Sequence, residues 1–164
     1  MKTNVLLLAG LGTLAILAGC SKSEAPAASA PATADANAPV TVDLTAGDSM
    51  KYNLTTIEAK PGQEVHVTLT NIGTMPKAAM AHNFILLQKG TDPKAFSDAA
   101  VSAAATDYFP ASMADKVIAH TKLLGPKQSD EITFKAPTEP GEYPFLCSFP
   151  AHYLAGMHGT LTVK

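Results

Sequence analysis

From residue 40 onward, apolar and polar positions alternate in short runs. VTVDLT (40–45) alternates, and EVHVTLT (64–70) puts Val65, Val67 and Leu69 on one face. HNFILL (82–87) is nearly continuous in apolar residues, and KVIAHTKLL (116–124) is apolar with polar interruptions. DEITFK (130–135), EYPFLC (142–147) and GTLTVK (159–164) follow. A period of two is the mark of strands with one buried face. Pro61-Gly62, Asn71-Ile72-Gly73, Gly125-Pro126 and Pro140-Gly141 separate the runs where turns are expected. Seven or eight such strands predict an all-β antiparallel sandwich or barrel. Pro144 lacks the amide proton a ladder needs, so an edge or a bulge is expected there.

One segment departs from this period. Residues 91–109 are rich in alanine, with Asp92 placed to cap a helix and Pro93 at its first position. The pattern predicts one short helix over about 93–104, inserted between strands.

The chain before residue 40 follows other rules. Met1-Lys2 is followed by an apolar run over 5–18 and by Leu17-Ala18-Gly19-Cys20. The run is short for a membrane span and suits a secretory signal over 1–19. Leu-Ala-Gly-Cys resembles the bacterial lipobox, which implies that Cys20 is lipidated and becomes the first mature residue. Residues 21–39 are mostly Ala, Pro and Ser without apolar periodicity, a composition that cannot offset its ordering entropy and reads as a linker. The expected organisation is a signal over 1–19, a lipid-bearing linker over 20–39 and one domain over 40–164.

Charge adds only an exclusion. Twelve lysines against fourteen acidic residues give a net charge of −2, without the basic excess that nucleic acid requires. The chain has two cysteines, so giving Cys20 to lipid leaves Cys147 with no partner for an internal disulfide. A lone thiol in an exported, oxidising setting calls for an explanation, and metal ligation is one.

Cys147 begins the stretch CSFPAHYLAGM, in which His152 and Met157 each follow the preceding candidate ligand after four intervening residues. The stretch admits three readings: core packing, a thiol nucleophile with His152 as its base, or a metal site. A blue copper site takes two imidazoles and a thiolate in a trigonal plane, with a weak axial thioether. Cys147, His152 and Met157 supply three of the four ligands, and a histidine from elsewhere must supply the fourth.

MAHNFIL (80–86), VIAHTKLLG (117–125) and CSFPAHYLAGMHGTLTVK (147–164) resemble the azurins of the cupredoxin family, and the likeness covers the whole domain. It implies an eight-stranded Greek-key sandwich with a helical flap and one copper ion. His82 of the Met-x-His-Asn motif becomes the fourth ligand, and the Ala81 carbonyl lies near the metal opposite Met157. Asn83 ties the two ligand loops together by hydrogen bonds. Met80, Pro150, Ala151, Tyr153 and Leu154 form an apolar docking patch around the edge of His152, which is expected close to the surface. His66, His120 and His158 are expected to point away from the metal.

The sequence also departs from the azurins. Its His-to-Met spacing is one residue longer, as in the auracyanins. Val40 and Gly62 stand where the azurin disulfide would be, Phe84 replaces a buried tryptophan, and Asn71 replaces a titratable histidine. The resemblance implies a one-electron carrier, not an enzyme: a monomer, periplasmic and tethered through Cys20. Its partners would be redox proteins such as c-type cytochromes or oxidoreductases. A copper buffer or delivery protein is the second reading. A multicopper oxidase would need His-x-His pairs, and the sequence has none. Ser21 after Cys20 favours the outer membrane over the inner.

Overall fold

The structure, a computed structural model, describes residues 38–164. The expected signal over 1–19, the expected lipid site at Cys20 and the expected linker up to residue 37 lie outside the described residues. Eight strands run in the order β1 (Val40–Ala46), β2 (Thr56–Ala59), β3 (Glu64–Asn71), β4 (Ile85–Leu87), β5 (Val117–His120), β6 (Ser129–Lys135), β7 (Gly141–Leu146) and β8 (His158–Val163). They form a three-stranded sheet, β1-β3-β6, and a five-stranded sheet, β2-β8-β7-β4-β5, a Greek-key sandwich rather than a closed barrel. β1–β3 and β2–β8 pair in parallel, and the other pairs are antiparallel.

Alternation along the strands builds the core. Val65, Val67 and Leu69 of β3 are fully buried, and with Val42 and Leu44 of β1 they meet Phe84, Phe145 and Leu161 from the facing sheet. Gly159 of β8 is required here, because a Cβ would collide with the Phe145 ring and the Thr55 carbonyl.

β4 is buried on both faces, which accounts for its unbroken apolar run. Its outer residues Ile85 and Leu87 join Leu146 and Phe96 in a second cluster beneath the inserted helix α1 (Pro93–Val101). Asp92 caps that helix, its Oδ1 accepting from the Lys94 amide at 2.8 Å, with Pro93 in the first turn. The helix ends at Val101, earlier than the alanine content predicts. Phe96, Ser97 and Ala100 are buried, whereas Val101, Ser102, Ala104 and Ala105 are exposed and have no core to hold a further turn. Two 3-10 turns, Ala104–Thr106 and Ala111–Lys116, lead into β5.

One strand goes unpredicted and one expectation is corrected. β2 does not stand out in the sequence pattern; it pairs in parallel with the distant β8 and buries only Ile57 and Ala59. Pro144 sits in an interior strand rather than at a sheet edge. It is tolerated because the β7–β4 register includes Phe145 and Leu146 only, so Pro144 has a ladder partner, Thr160, on one side alone.

Candidate metal centre

Three chain segments converge at one end of the sandwich. Ile85 of β4 is opposite Leu146 of β7, so the residue entering β4 and the residue leaving β7 share that end. Cys147 follows β7 directly, and Met157 directly precedes β8. The 147–157 segment therefore closes two adjacent antiparallel strands. His82 is fixed by reciprocal backbone bonds with Leu124, at 3.1 and 2.8 Å.

His82, Cys147 and His152 each offer one donor atom, and the three atoms lie within 4.8 Å of one another. The Cys147 Sγ is 3.4 Å from Nδ1 of His152 and 3.9 Å from the Ala81 carbonyl oxygen. The imidazole rings of His82 and His152 are 4.9 Å apart between centroids. Met157 is fully buried; its amide donates to the His152 carbonyl at 2.9 Å, and its carbonyl accepts from the Cys147 amide at 3.1 Å.

The electrostatics suit a soft cation. Burial lowers the His82 pKa, although the Asp48 carboxylate and the Gly47 carbonyl oppose the effect. Burial, then the proximity of His82, lowers His152 to about 4. Both rings are thus neutral at pH 7, with lone pairs to offer. Burial pushes the Cys147 thiol up to about 12, against backbone hydrogen bonds from Asn83 and Phe149 that favour the thiolate. A thiol so poorly ionised is no nucleophile without a cation beside it. Both ring nitrogens of His82 are buried, and neither the nearby Gly47 carbonyl nor any other group among the described residues meets them in hydrogen-bond geometry. Such orphaned atoms are costly unless something else engages them. Two neutral imidazoles and a thiol at this separation fit copper.

A family profile described as copper binding proteins, plastocyanin/azurin family, matches residues 38–164. The chain belongs to that family. It is 36% identical over 155 residues to an azurin of Achromobacter denitrificans, covering 93% of this chain and 96% of the relative. It is 39% identical over 118 residues to outer membrane protein H.8 of Neisseria meningitidis serogroup B, covering 71% of this chain and 63% of the relative. A dithionite-reduced auracyanin from the photosynthetic bacterium Roseiflexus castenholzii matches with a TM-score of 0.68 at 37% identity, covering 76% of this chain and 97% of that one. Copper is the cofactor of this cupredoxin, and members of the family are electron carriers rather than enzymes.

The other candidate residues of this plastocyanin/azurin relative lie at varied depths. Asn83 is buried and bonds to Ser148 across the two loops. Leu154 and Ala151 are exposed, while Met80, Pro150 and Tyr153 are half-buried. His152 is only 1% exposed, less open than its loop position suggests, because the Phe149 ring lies against it at 4.8 Å. His120 and His158 are exposed, and the half-buried His66 pairs with Glu64 at 2.8 Å. Cys147 is a free, buried cysteine. Asn71, 1% exposed, is held by the Leu124 carbonyl and the Gly73 amide, and Phe84 packs on Phe145 at 5.0 Å.

Sequence reasoning missed three neighbours of the site. Ser148 provides both a hydroxyl and an amide for Asn83, Tyr52 donates to the Asn83 carbonyl, and Asp48 holds the Thr74 amide and hydroxyl. Only Ser148 was within reach of a sequence argument, since it adjoins Cys147 as Asn83 adjoins His82.

Proposed function

We propose that the chain is a lipid-tethered blue copper electron carrier of the bacterial envelope, its metal held by His82, Cys147, His152 and, axially, Met157. The observation that carries this reading is the buried convergence of two neutral imidazoles and one thiol, with donor atoms within 4.8 Å and both His82 ring nitrogens without a hydrogen-bond partner. Copper bound there supplies a one-electron couple. The protein's part is to keep His82 and His152 neutral, to release the Cys147 proton on metal loading, and to hold the donors still. Backbone hydrogen bonds tie these loops to strand ends, so the donors would have to move little when the metal gained or lost an electron.

The envelope location is supported by the lipobox-like Leu17-Ala18-Gly19-Cys20 and by similarity to a Neisseria protein named for the outer membrane. On this reading the domain is periplasmic, monomeric and anchored to the outer membrane, with 20–39 as its tether. Its partners are redox proteins such as c-type cytochromes or oxidoreductases, met through the patch of Met80, Pro150, Ala151, Tyr153 and Leu154.

The test is Cu(II) titration of the purified domain, followed by visible absorption. One equivalent should give an intense blue thiolate-to-copper band that survives repeated reduction and reoxidation in the presence of a chelator. Cys147→Ser should be colourless, because a hydroxyl is a hard, protonated donor. A blue serine variant overturns the ligand set. Surrender of the metal to the chelator within a few redox cycles would favour a copper-delivery protein instead.

A further inference from the structure

The part of the ligand loop between His152 and Met157 is bonded almost entirely to itself. The Ala155 amide donates to Ala151 at 2.9 Å, that of Gly156 to Tyr153 at 2.8 Å, and that of Met157 to His152 at 2.9 Å. From outside the loop, the Lys51 ammonium donates to the Ala155 carbonyl. Gly156 has φ +91°, and a Cβ there would meet Lys51 Nζ at 2.5 Å, so the glycine leaves space for the ammonium against the backbone. Two features of the loop thus accommodate one side chain, across 104 residues of sequence.

Lys51 is itself well mounted. It follows β1 in a segment closed by the Met50 amide to the Gly47 carbonyl at 3.0 Å and the Asn53 amide to the Thr45 carbonyl at 3.1 Å. The adjacent Tyr52 is 6% exposed, bridges Ala46 and donates to the Asn83 carbonyl next to His82. The neighbouring Asp48 binds the Thr74 amide through both carboxylate oxygens, at 3.1 and 3.0 Å. The Lys51 stem therefore springs from a segment tied to the loop of the first histidine, and its head reaches the loop of the thioether.

We propose that Lys51 is a positioning residue for the axial side of the copper site: a charge-assisted staple on Ala155 that fixes where Met157 stands. The proposal rests on the reading of Met157 as the axial ligand. A cationic donor on a carbonyl makes a stronger bond than a neutral one, and it grips the loop at the point where no strand does. The Cys147 amide holds the Met157 carbonyl on one side, and on the other the turn through Ala155 is held from outside the loop by Lys51, so releasing Lys51 would loosen the approach to Met157. Lys51 acts through Ala155 and Met157 and touches no donor atom itself.

The test compares wild type with Lys51→Met, which keeps an apolar stem of similar length, and Lys51→Arg, which keeps charge and donors. Amide hydrogen exchange on the metal-free protein reads the staple without copper. Lys51→Met should speed exchange at Gly156 and Met157 by about five- to tenfold, the loss of one partly exposed charge-assisted bond, with β3 amides unchanged. In the copper-loaded protein the same variant should shift the ratio of the visible bands and speed copper release to a chelator by about the same factor. Lys51→Arg should restore both. Unchanged exchange at 156–157, or an equal rise throughout β3, overturns the staple. Faster local exchange with unaltered visible bands, in a protein whose bands do respond to Met157→Leu, overturns the link from loop to axial ligand. If Met157→Leu leaves the bands unaltered as well, the axial assignment of Met157 is what fails.

Discussion

Asn83 and Ser148 exchange two hydrogen bonds: the Asn83 amide group donates to the Ser148 hydroxyl at 2.8 Å, and the Ser148 backbone amide donates to the Asn83 side-chain oxygen at 2.9 Å. Each residue directly follows a proposed ligand, His82 or Cys147, and both are buried. The pair thus sets the separation of the two loops behind the metal, where a shift of either would move a donor atom.

Asn83→Ala should therefore harm the fold as well as the metal site. It leaves the Ser148 hydroxyl and amide buried without partners, at about 1–3 kcal/mol each. Urea unfolding of the metal-free domain should show a loss of about 2–6 kcal/mol. Ser148→Ala should lose less, about 1–2 kcal/mol, because it leaves only the Asn83 amide group unpaired. Equal losses from the two variants would mean that the bond to the Ser148 backbone contributes nothing.

Without metal, stability should be bounded by pH on both sides. Burial lowers the pKa of His82, and lowers that of His152 from the ordinary 6.5 to about 4. Below about 6.5 the unfolded chain binds protons that the folded imidazoles refuse, so stability falls as pH drops from there toward 4. Cys147 moves the other way, from 9.0 up to about 12, so the folded state keeps a proton that the unfolded chain loses. Stability falls again as pH rises above 9. A series of urea unfolding curves on the metal-free domain should show a plateau between these limits. A flat profile from pH 7 down to 4 would contradict the buried neutral imidazoles.

Several of these features were legible in the sequence because they are local. The alternation of Val65, Val67 and Leu69 specified β3, and the Cys147-to-Met157 stretch marked the segment that brings Cys147 and His152 together. β2 was not legible, since its two buried residues, Ile57 and Ala59, are too few to show a period and its partner is β8. The helix end was misjudged because propensity is local and burial is not; alanine continues past Val101, but the core does not. The closing of His152 by Phe149 depends on how a loop folds back on its own aromatic ring, which spacing alone leaves open. The lysine contact to Ala155 joins segments 104 residues apart and carries no sequence signature.

Met157 should tune the site more than hold it. Met157→Leu conserves volume at a fully buried position, so the fold should lose less than about 1.5 kcal/mol. Copper should remain bound, and its reduction potential should rise, since removing a donor disfavours Cu(II) relative to Cu(I). Potentiometric titration of the blue band measures this. A lower potential, or loss of the copper, would sink the view of a weak axial ligand.

Cys20 should govern membrane association and leave the copper site alone. Cys20→Ala removes the acyl acceptor, and each buried CH₂ of an acyl chain contributes about 0.8 kcal/mol of membrane affinity. The variant should take up no labelled palmitate and leave the lipidated fraction, with its visible spectrum intact. Equal labelling of variant and wild type would remove Cys20 as the anchor.

Leu154 is the test of the docking patch. At 71% exposure it is the most open large apolar residue among the described residues, on the loop that also carries His152 and the exposed Ala151. A bland account exists, since single exposed leucines are common and need no function. The two accounts diverge under substitution. If the patch is where partners dock, Leu154→Asp obliges a partner to desolvate a charge, and second-order electron exchange with a c-type cytochrome should slow by about tenfold or more. Leu154→Ser, which removes apolar area without adding charge, should slow it less. Neither change should alter stability by more than about 0.5 kcal/mol, because the side chain is exposed, and the blue spectrum should stay the same. With His152 covered by Phe149 rather than open to solvent, contact through this loop has to bring the partner close before the electron can cross. Rates equal to wild type in a spectrally normal Leu154→Asp protein would move the port to another face of the domain.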